Sequence, residues 1–169
     1  MGCDVHLFVE FRCQAGHFTS LTADEFSLPR DYGIFGALAG VRMEALPHIP
    51  PRGFPEDGSG YAHEAYFLRV CEDSDDRHGF DGLWFTMLPK DAEDCIKRGV
   101  SQRKTWHGSE LISAPDAHHA SWLTAAEYRD ALAVAVTASG EPSQEYLAVA
   151  AALHVLERED SRVVFWFDN

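Results

Sequence analysis

The strict alternation of residues 3–12, CDVHLFVEFR, constrains the fold of this chain more than any other feature of its sequence. Successive side chains of a β-strand point to opposite faces, so the pattern predicts a strand with one continuous apolar face. Asp4 and His6 fall on the other face, with α-carbons separated by roughly 6.5 to 7 Å. The strand therefore presents a carboxylate and an imidazole side by side.

The remaining pattern predicts several helices and a closing strand. CQAGHFTSL predicts a hairpin return from the first strand. Helices are predicted in RDYGIFGALAGV, in PKDAEDCIKRG and in EPSQEYLAVAAALHVLERED. Thr124 and Glu127 have the spacing of a capping box before a further, alanine-rich helix. RVVFWFDN is β-branched and aromatic, which predicts a strand.

This order of elements predicts an α+β fold. We expect a small antiparallel sheet that includes both terminal strands and packs against several helices, within a single globular domain over residues 1–169. Antiparallel pairing of the terminal strands would bring Asp168 close to Asp4 and His6. The segment Pro47–Gly60, rich in proline and glycine, predicts an ordered loop folded over the body, and the acidic run Glu72–Asp76 predicts a solvated loop.

Composition excludes several classes of protein. The 27 acidic residues outnumber the 14 basic ones, and a formal charge of −13 disfavours a nucleic-acid polymer as partner. The four cysteines lie far apart and form no C-x-x-C pair, so we expect reduced thiols. Because neither a signal peptide nor a long apolar run is evident, we expect a cytoplasmic protein without a membrane span.

The D-x-H spacing of Asp4 and His6 recurs at Asp116 and His118, where His119 follows directly. Carboxylates and neutral imidazoles suit zinc, manganese or iron, and the same pairs suit general acid–base chemistry. We expect the second pair in a loop before the capped helix. The alternative is that Asp4 caps a turn and His6 is a hydrogen-bonded histidine under the helices.

The predicted site is completed by an acid and two arginines. Asp168 would join as a further ligand, so that the predicted metal ligands are Asp4, His6, His118 and Asp168. Arg30 and Arg52 stand between proline, glycine and aspartate neighbours and match the oxygens of an anion. With Trp122 they form the predicted ligand-binding set; the alternative is that each arginine pairs with an acid of the chain.

Other sequence motifs are absent. The chain has no phosphate-binding loop, dinucleotide fingerprint, H-E-x-x-H or nucleophile elbow. Cys3 is excluded as a nucleophile paired with His6, because the alternation points the two side chains to opposite faces.

The blocks MGCDVH, RDYGIFGALAGVR, PPRGFP, DAHHASWLT and VVFWFDN together resemble a group of uncharacterised proteins of bacteria and their phages. The resemblance spans most of the chain and implies a bacterial or phage setting and a shared site. It implies a small polar residue at the position of His119, so His119 is left out of the predicted site.

Three functions are compatible with these residues. The first is a metal-dependent hydrolase of a small phosphate-containing or nucleotide-like substrate, with Asp4, His6, Asp116 and His118 as catalytic residues and zinc or manganese as cofactor. The second is a non-catalytic protein that binds and sequesters a small nucleotide-like ligand. The third is an inhibitor whose acidic surface mimics DNA or docks on a basic protein.

Overall fold

A computed structural model describes residues 2–72, 86–156 and 160–168. The chain divides into two compact units: unit 1 contains Met1–Ala62 and His118–Asn169, and unit 2 contains His63–Ala117. The prediction of a single globular domain stays a prediction. The acidic run predicted to be a solvated loop lies, except for Glu72, outside the described residues.

Unit 1 is built on an antiparallel sheet whose two central strands come from the two ends of the chain. Strands β1 (Asp4–Arg12) and β8 (Ser161–Asp168) pair along almost their whole lengths. Strand β2 (Phe18–Ser20) flanks β1, and β7 (His118–Thr124) flanks β8, giving the order β2-β1-β8-β7. The predicted α+β class, with both terminal strands in one antiparallel sheet, is confirmed.

Three helices cover one face of this sheet. They are α1 (Tyr32–Ala39), α4 (Ala125–Ser139) and α5 (Gln144–Leu156). Alternate side chains of the central strands are fully buried against the helices and form the core together with the rings of Tyr128 and Tyr146. Burial of so much apolar surface is the main stabilising contribution to unit 1. The strand residues are Cys3, Val5, Leu7, Val9, Val163, Phe165 and Phe167.

Local signals in the sequence fix the ends of two of these helices. The Asp31 side chain accepts a hydrogen bond from the backbone N–H of Ile34 and begins α1. Gly40, with φ of +73°, ends α1 in the left-handed conformation that glycine adopts without strain. Thr124 and Glu127 form the predicted capping box at the start of α4.

The 47–60 loop covers the other face of the sheet, as predicted. Phe54 packs 6.3 Å from the Trp166 ring, and the Gly53 N–H donates to the Ala120 carbonyl at the edge of β7. The N–H of Ser59 donates to a carboxylate oxygen of Glu10 at 2.7 Å. The sheet therefore has apolar packing on both faces.

Unit 2 contains a second sheet that the pattern of the sequence does not predict. Helix α2 (Gly60–Tyr66) leads into β3 (Phe67–Val70), which pairs with β4 (Thr86–Met87) and β6 (Ser109–Ser113). Strand β5 (Arg103–Trp106) lies at one edge, giving the order β4-β3-β6-β5. The predicted helix α3 (Pro89–Lys97) is confirmed. Among the described residues, no helix combines the length and the apolar character that crossing a membrane requires.

Candidate functional site

A polar cluster lies at the end of the unit 1 sheet, on the face opposite the helices. We call it the His6 cluster, and it contains the side chains of Asp4, His6, Glu25, Arg30 and Asp168. Asp4 pairs directly with Asp168 across the strands, and His6 pairs with Trp166. The predicted approach of Asp168 to Asp4 and His6 is confirmed, with His6 Nε2 3.1 Å from Asp168 Oδ2.

Both ring nitrogens of His6 meet carboxylates. Nδ1 lies 2.6 Å from Glu25 Oε2, while Nε2 faces Asp168. Partial burial of the ring lowers the pKa of His6, but the two carboxylates outweigh this effect and raise it to about 9. The ring also stacks on Trp166, with centroids 5.3 Å apart, which favours a cationic imidazolium. At neutral pH, His6 in this arrangement is a cation held between two anions.

Arg30 binds Asp4 through a bidentate ion pair. Its Nε and Nη2 atoms donate to the two carboxylate oxygens at 2.6 and 2.7 Å. The hydrogen bonds from Arg30 lower the pKa of Asp4. For Arg30, the structure therefore shows the pairing alternative, in which the guanidinium binds an acid of the chain.

His118 of the second D-x-H pair does not join this cluster. His118 pairs with Phe167 and stacks on its ring at 6.0 Å. Since Phe167 points into the helix-covered core, His118 lies on the opposite face of the sheet from His6. Asp116 is exposed in a turn of unit 2. The expectation of a loop at residues 116–119 is wrong for His118 and His119, because β7 begins at His118.

The predicted metal centre therefore does not assemble as a four-ligand set in this structure. Asp4, His6 and Asp168 are together, whereas His118 is directed elsewhere. Within the described ranges, no three His, Cys, Asp or Glu side chains are arranged so that they would hold a metal ion. Binding of zinc or manganese stays a prediction. So do the catalytic roles of Asp4, His6, Asp116 and His118.

Arg52 anchors the loop to β7 and α4. Its guanidinium donates to Glu127 Oε2 at 2.9 Å and to the Trp122 carbonyl at 3.1 Å, and it lies 4.4 Å above the Trp122 ring. The hydrogen bonds from Arg52 and the capping contacts with Thr124 lower the pKa of Glu127 to about 2. Arg52, like Arg30, is paired with an acid of the chain.

The sequence reasoning missed a buried ion pair between neighbouring strands. Glu10 is fully buried, and its Oε2 accepts from Nε and Nη2 of Arg162, both at 2.9 Å. Arg162 also reaches Asp57 Oδ1 at 2.9 Å and lies 3.6 Å above the Phe18 ring. A signal was present, since Glu10 and Arg162 interrupt otherwise apolar strands and fall opposite each other in the β1–β8 register.

Arg162 of this ion pair lines a groove of about 470 Å³ in unit 1. We call it the arginine groove. It combines two guanidinium groups with two aromatic rings, and Trp122, a predicted ligand-binding residue, is among its walls. It is lined by Arg12, Phe18, Pro55, Glu56, Asp57, Trp122, Thr124, Asp160, Ser161 and Arg162.

Two exposed acids pair with the arginines of the groove. Arg12 donates from Nε to Asp160 at 3.1 Å, and the Asp160 side chain is 68% exposed. Asp57, the second acid on Arg162, is 60% exposed. The Arg12–Asp160 pair is exposed on both sides and contributes little free energy, so a ligand anion would replace the Asp160 carboxylate at small cost. The Arg162 side chain is only 7% exposed, so its pair with Asp57 is not of this kind. Glu10 would keep Arg162 in place.

No protein-family model, curated protein or solved structure matches this chain. The resemblance to bacterial and phage proteins stays a prediction.

Proposed function

We propose that this chain is a non-catalytic binding protein for a small nucleotide-like ligand, which it takes into the arginine groove. The observation that carries the proposal is the placement of Arg12, Arg162, Phe18 and Trp122 around one groove. Guanidinium groups bind phosphate and carboxylate oxygens through paired hydrogen bonds. Trp122 lines the groove beside Arg162, whose guanidinium lies 5.7 Å from the centre of the indole ring. A planar base would stack on this ring by displacing one of the two guanidinium groups, of Arg52 or Arg162, that lie over it.

Charge supports a small ligand rather than a polymer. The chain carries a formal charge of −13, and the positive groups of the groove are local exceptions. A mononucleotide in the groove would meet the two arginines and the three acids Glu56, Asp57 and Asp160. A long polyanion would in addition meet the rest of the acidic surface and be repelled. The predicted cytoplasmic location and the bacterial or phage setting belong to the same proposal.

Binding is better supported than hydrolysis by the His6 cluster. A general base or a metal ligand needs a neutral imidazole with an available nitrogen. Both nitrogens of His6 face carboxylates, and its pKa is raised to about 9. The arrangement favours a structural role for the imidazolium, which links β1 and β8 to the segment that carries Glu25.

Isothermal titration calorimetry with adenine, guanine and uracil mononucleotides tests the proposal, with adenosine and inorganic phosphate as separate probes. We expect at least one nucleotide to bind more tightly than either probe. Trp122→Leu should weaken that binding by about 5- to 160-fold, the range measured for stacking of one base. Arg12→Met should weaken it as well.

Arg103→Met is the matched control, since Arg103 forms an exposed ion pair with Glu110 in unit 2. It should leave the affinity unchanged. Chromatography of the same mixtures should return intact nucleotide, and product that accumulates with protein concentration would replace the binding proposal with the hydrolase. The absence of binding at millimolar nucleotide, or equal affinity in all variants, would refute the proposal.

A further inference from the structure

The β1–β2 hairpin brings a thiol and an imidazole together. Cys13 Sγ lies 3.4 Å from His17 Nε2, within the range of a hydrogen bond to sulfur. Two backbone hydrogen bonds support this arrangement, from Cys13 N to the His17 carbonyl and from Gly16 N to the Cys13 carbonyl. Gly16 has φ of +86°, which the turn requires and which glycine adopts without strain. Cys13 and His17 are called the Cys13 dyad below.

The surroundings of the four cysteines differ in two properties that control reactivity, access and a neighbouring base. Cys3 is fully buried in the core, and burial raises the pKa of its thiol. Cys95, on the buried side of α3, is only 5% exposed. Cys13 and Cys71 are partly exposed, so a small reagent reaches them. The Cys13 thiol also has an imidazole nitrogen, that of His17, at hydrogen-bonding distance.

The nucleophile in thiol chemistry is the thiolate, so a base in contact with an accessible thiol marks a reactive cysteine. With its ring proton on Nδ1, His17 accepts the Cys13 proton at Nε2. The imidazolium that results stabilises the thiolate. His17 is itself exposed, so solvent and small solutes reach both members of the dyad.

We propose that Cys13 is a modification site that reacts with low-molecular-weight disulfides, with His17 as the base. His17 takes the thiol proton, and the Cys13 thiolate attacks one sulfur of the incoming disulfide. A new S–S bond forms while the original S–S bond breaks. The departing thiolate receives the proton from His17 and leaves as a thiol. Cys13 is oxidised to a mixed disulfide, and half of the reagent is reduced. The reaction at Cys13 does not require a ligand in the arginine groove.

Incubation of the full chain with glutathione disulfide at pH 7 tests the site, with peptide mapping by mass spectrometry. We expect one glutathione per chain at early times, attached to Cys13. The Cys71 peptide in the same sample serves as an internal comparison for a partly exposed thiol. Cys13→Ser should abolish the early adduct.

Substitution of the base separates its chemical role from a structural one. His17→Gln should slow modification of Cys13 by at least about tenfold at pH 7, since a positioned base contributes that much or more. The difference in rate should shrink as the pH is raised, because hydroxide in solution then replaces the positioned base. His154→Gln, on an exposed position of α5, should react like the unmodified sequence. Faster reaction at Cys71, or an unchanged rate in His17→Gln at pH 7, would overturn the assignment.

Discussion

Substitution of Arg162 by methionine should destabilise unit 1 by about 3–5 kcal/mol, the cost of removing one partner from a buried ion pair. Glu10 Oε2 would lose both guanidinium donors, and its carboxylate has no exposed surface through which water would replace them. Asp57 would contribute little to the loss, because it is 60% exposed and returns to solvent. The contact of the guanidinium with Phe18 would also be lost.

Removal of both charges makes this prediction specific to the ion pair. Glu10→Leu combined with Arg162→Met removes both charges and leaves an apolar pair, so we expect the double variant to be about 2–3 kcal/mol more stable than Arg162→Met alone. It should not reach full stability, since the Ser59 N–H loses its acceptor.

Equilibrium denaturation in urea, followed by tryptophan fluorescence, measures these differences. Arg103→Met is again the matched control, because the exposed bridge to Glu110 should contribute less than about 1 kcal/mol. If the free energy of unfolding of Arg162→Met lies within about 1 kcal/mol of that of the unmodified chain, the buried ion pair does not stabilise unit 1 as proposed. A double variant that is no more stable than Arg162→Met would contradict the prediction as well.

Two further predictions concern pH. The pKa of Glu127, about 2 in the folded chain against 4.5 normally, means that its pair with Arg52 stabilises the fold above pH 4.5 and that this contribution is lost as the pH falls toward 2. Glu127→Gln should therefore lower the free energy of unfolding, measured by urea denaturation, by about 1–2 kcal/mol at pH 6, a value already reduced for the partial exposure of the pair. At pH 2 the same substitution should change it hardly at all. An equal loss at both pH values would contradict the pairing. For His6, with its pKa raised from 6.5 to about 9, stabilisation is complete below pH 6.5 and disappears as the pH rises through 9. An NMR titration should find the pKa of His6 near 9 in the unmodified chain and nearer 6.5 in Glu25→Gln. A value near 6.5 in the unmodified chain would contradict the placement of His6 between Glu25 and Asp168.

In unit 1, the directions of side chains were predictable for strands in which apolar and polar residues alternate regularly. The alternation in β1 correctly separated Cys3 from His6, and the aromatic closing strand placed Asp168 beside Asp4. Capping at Thr124 was predictable because its hydrogen bonds are local in sequence.

The sequence suggested one shared site for the two D-x-H pairs, but His6 and His118 point to opposite faces of the sheet. This difference was not predictable, because the direction of His118 depends on a bulge. Three steps along β7, from His118 to Ser121, span two steps along β8, from Phe167 to Phe165. The extra residue turns His118 to the helix-covered face. His119, with φ of +52°, lies within this irregularity. Identical spacing in sequence therefore gave opposite directions in space.

Unit 2 and the arginine groove escaped prediction for other reasons. Strands β3 to β6 have two to five residues each, too few for a period to emerge. The groove depends on the contact between Glu10 and Arg162, and these two residues lie far apart in the chain. Such partners follow from register, and register is not visible in a single strand.

The pairing of β1 with β8 also governs how the chain reaches its fold during synthesis. The register runs from Phe11 opposite Ser161 to Asp4 opposite Asp168, so nearly all of the chain separates the partners. Folding that waits for such distant contacts is slow, because a long loop must close before they form. On the ribosome, β1 emerges before β8, and one edge of β1 stays unpaired until β8 is made. Unit 1 is thus most exposed to aggregation, and most dependent on chaperones, in the interval between the translation of its two central strands.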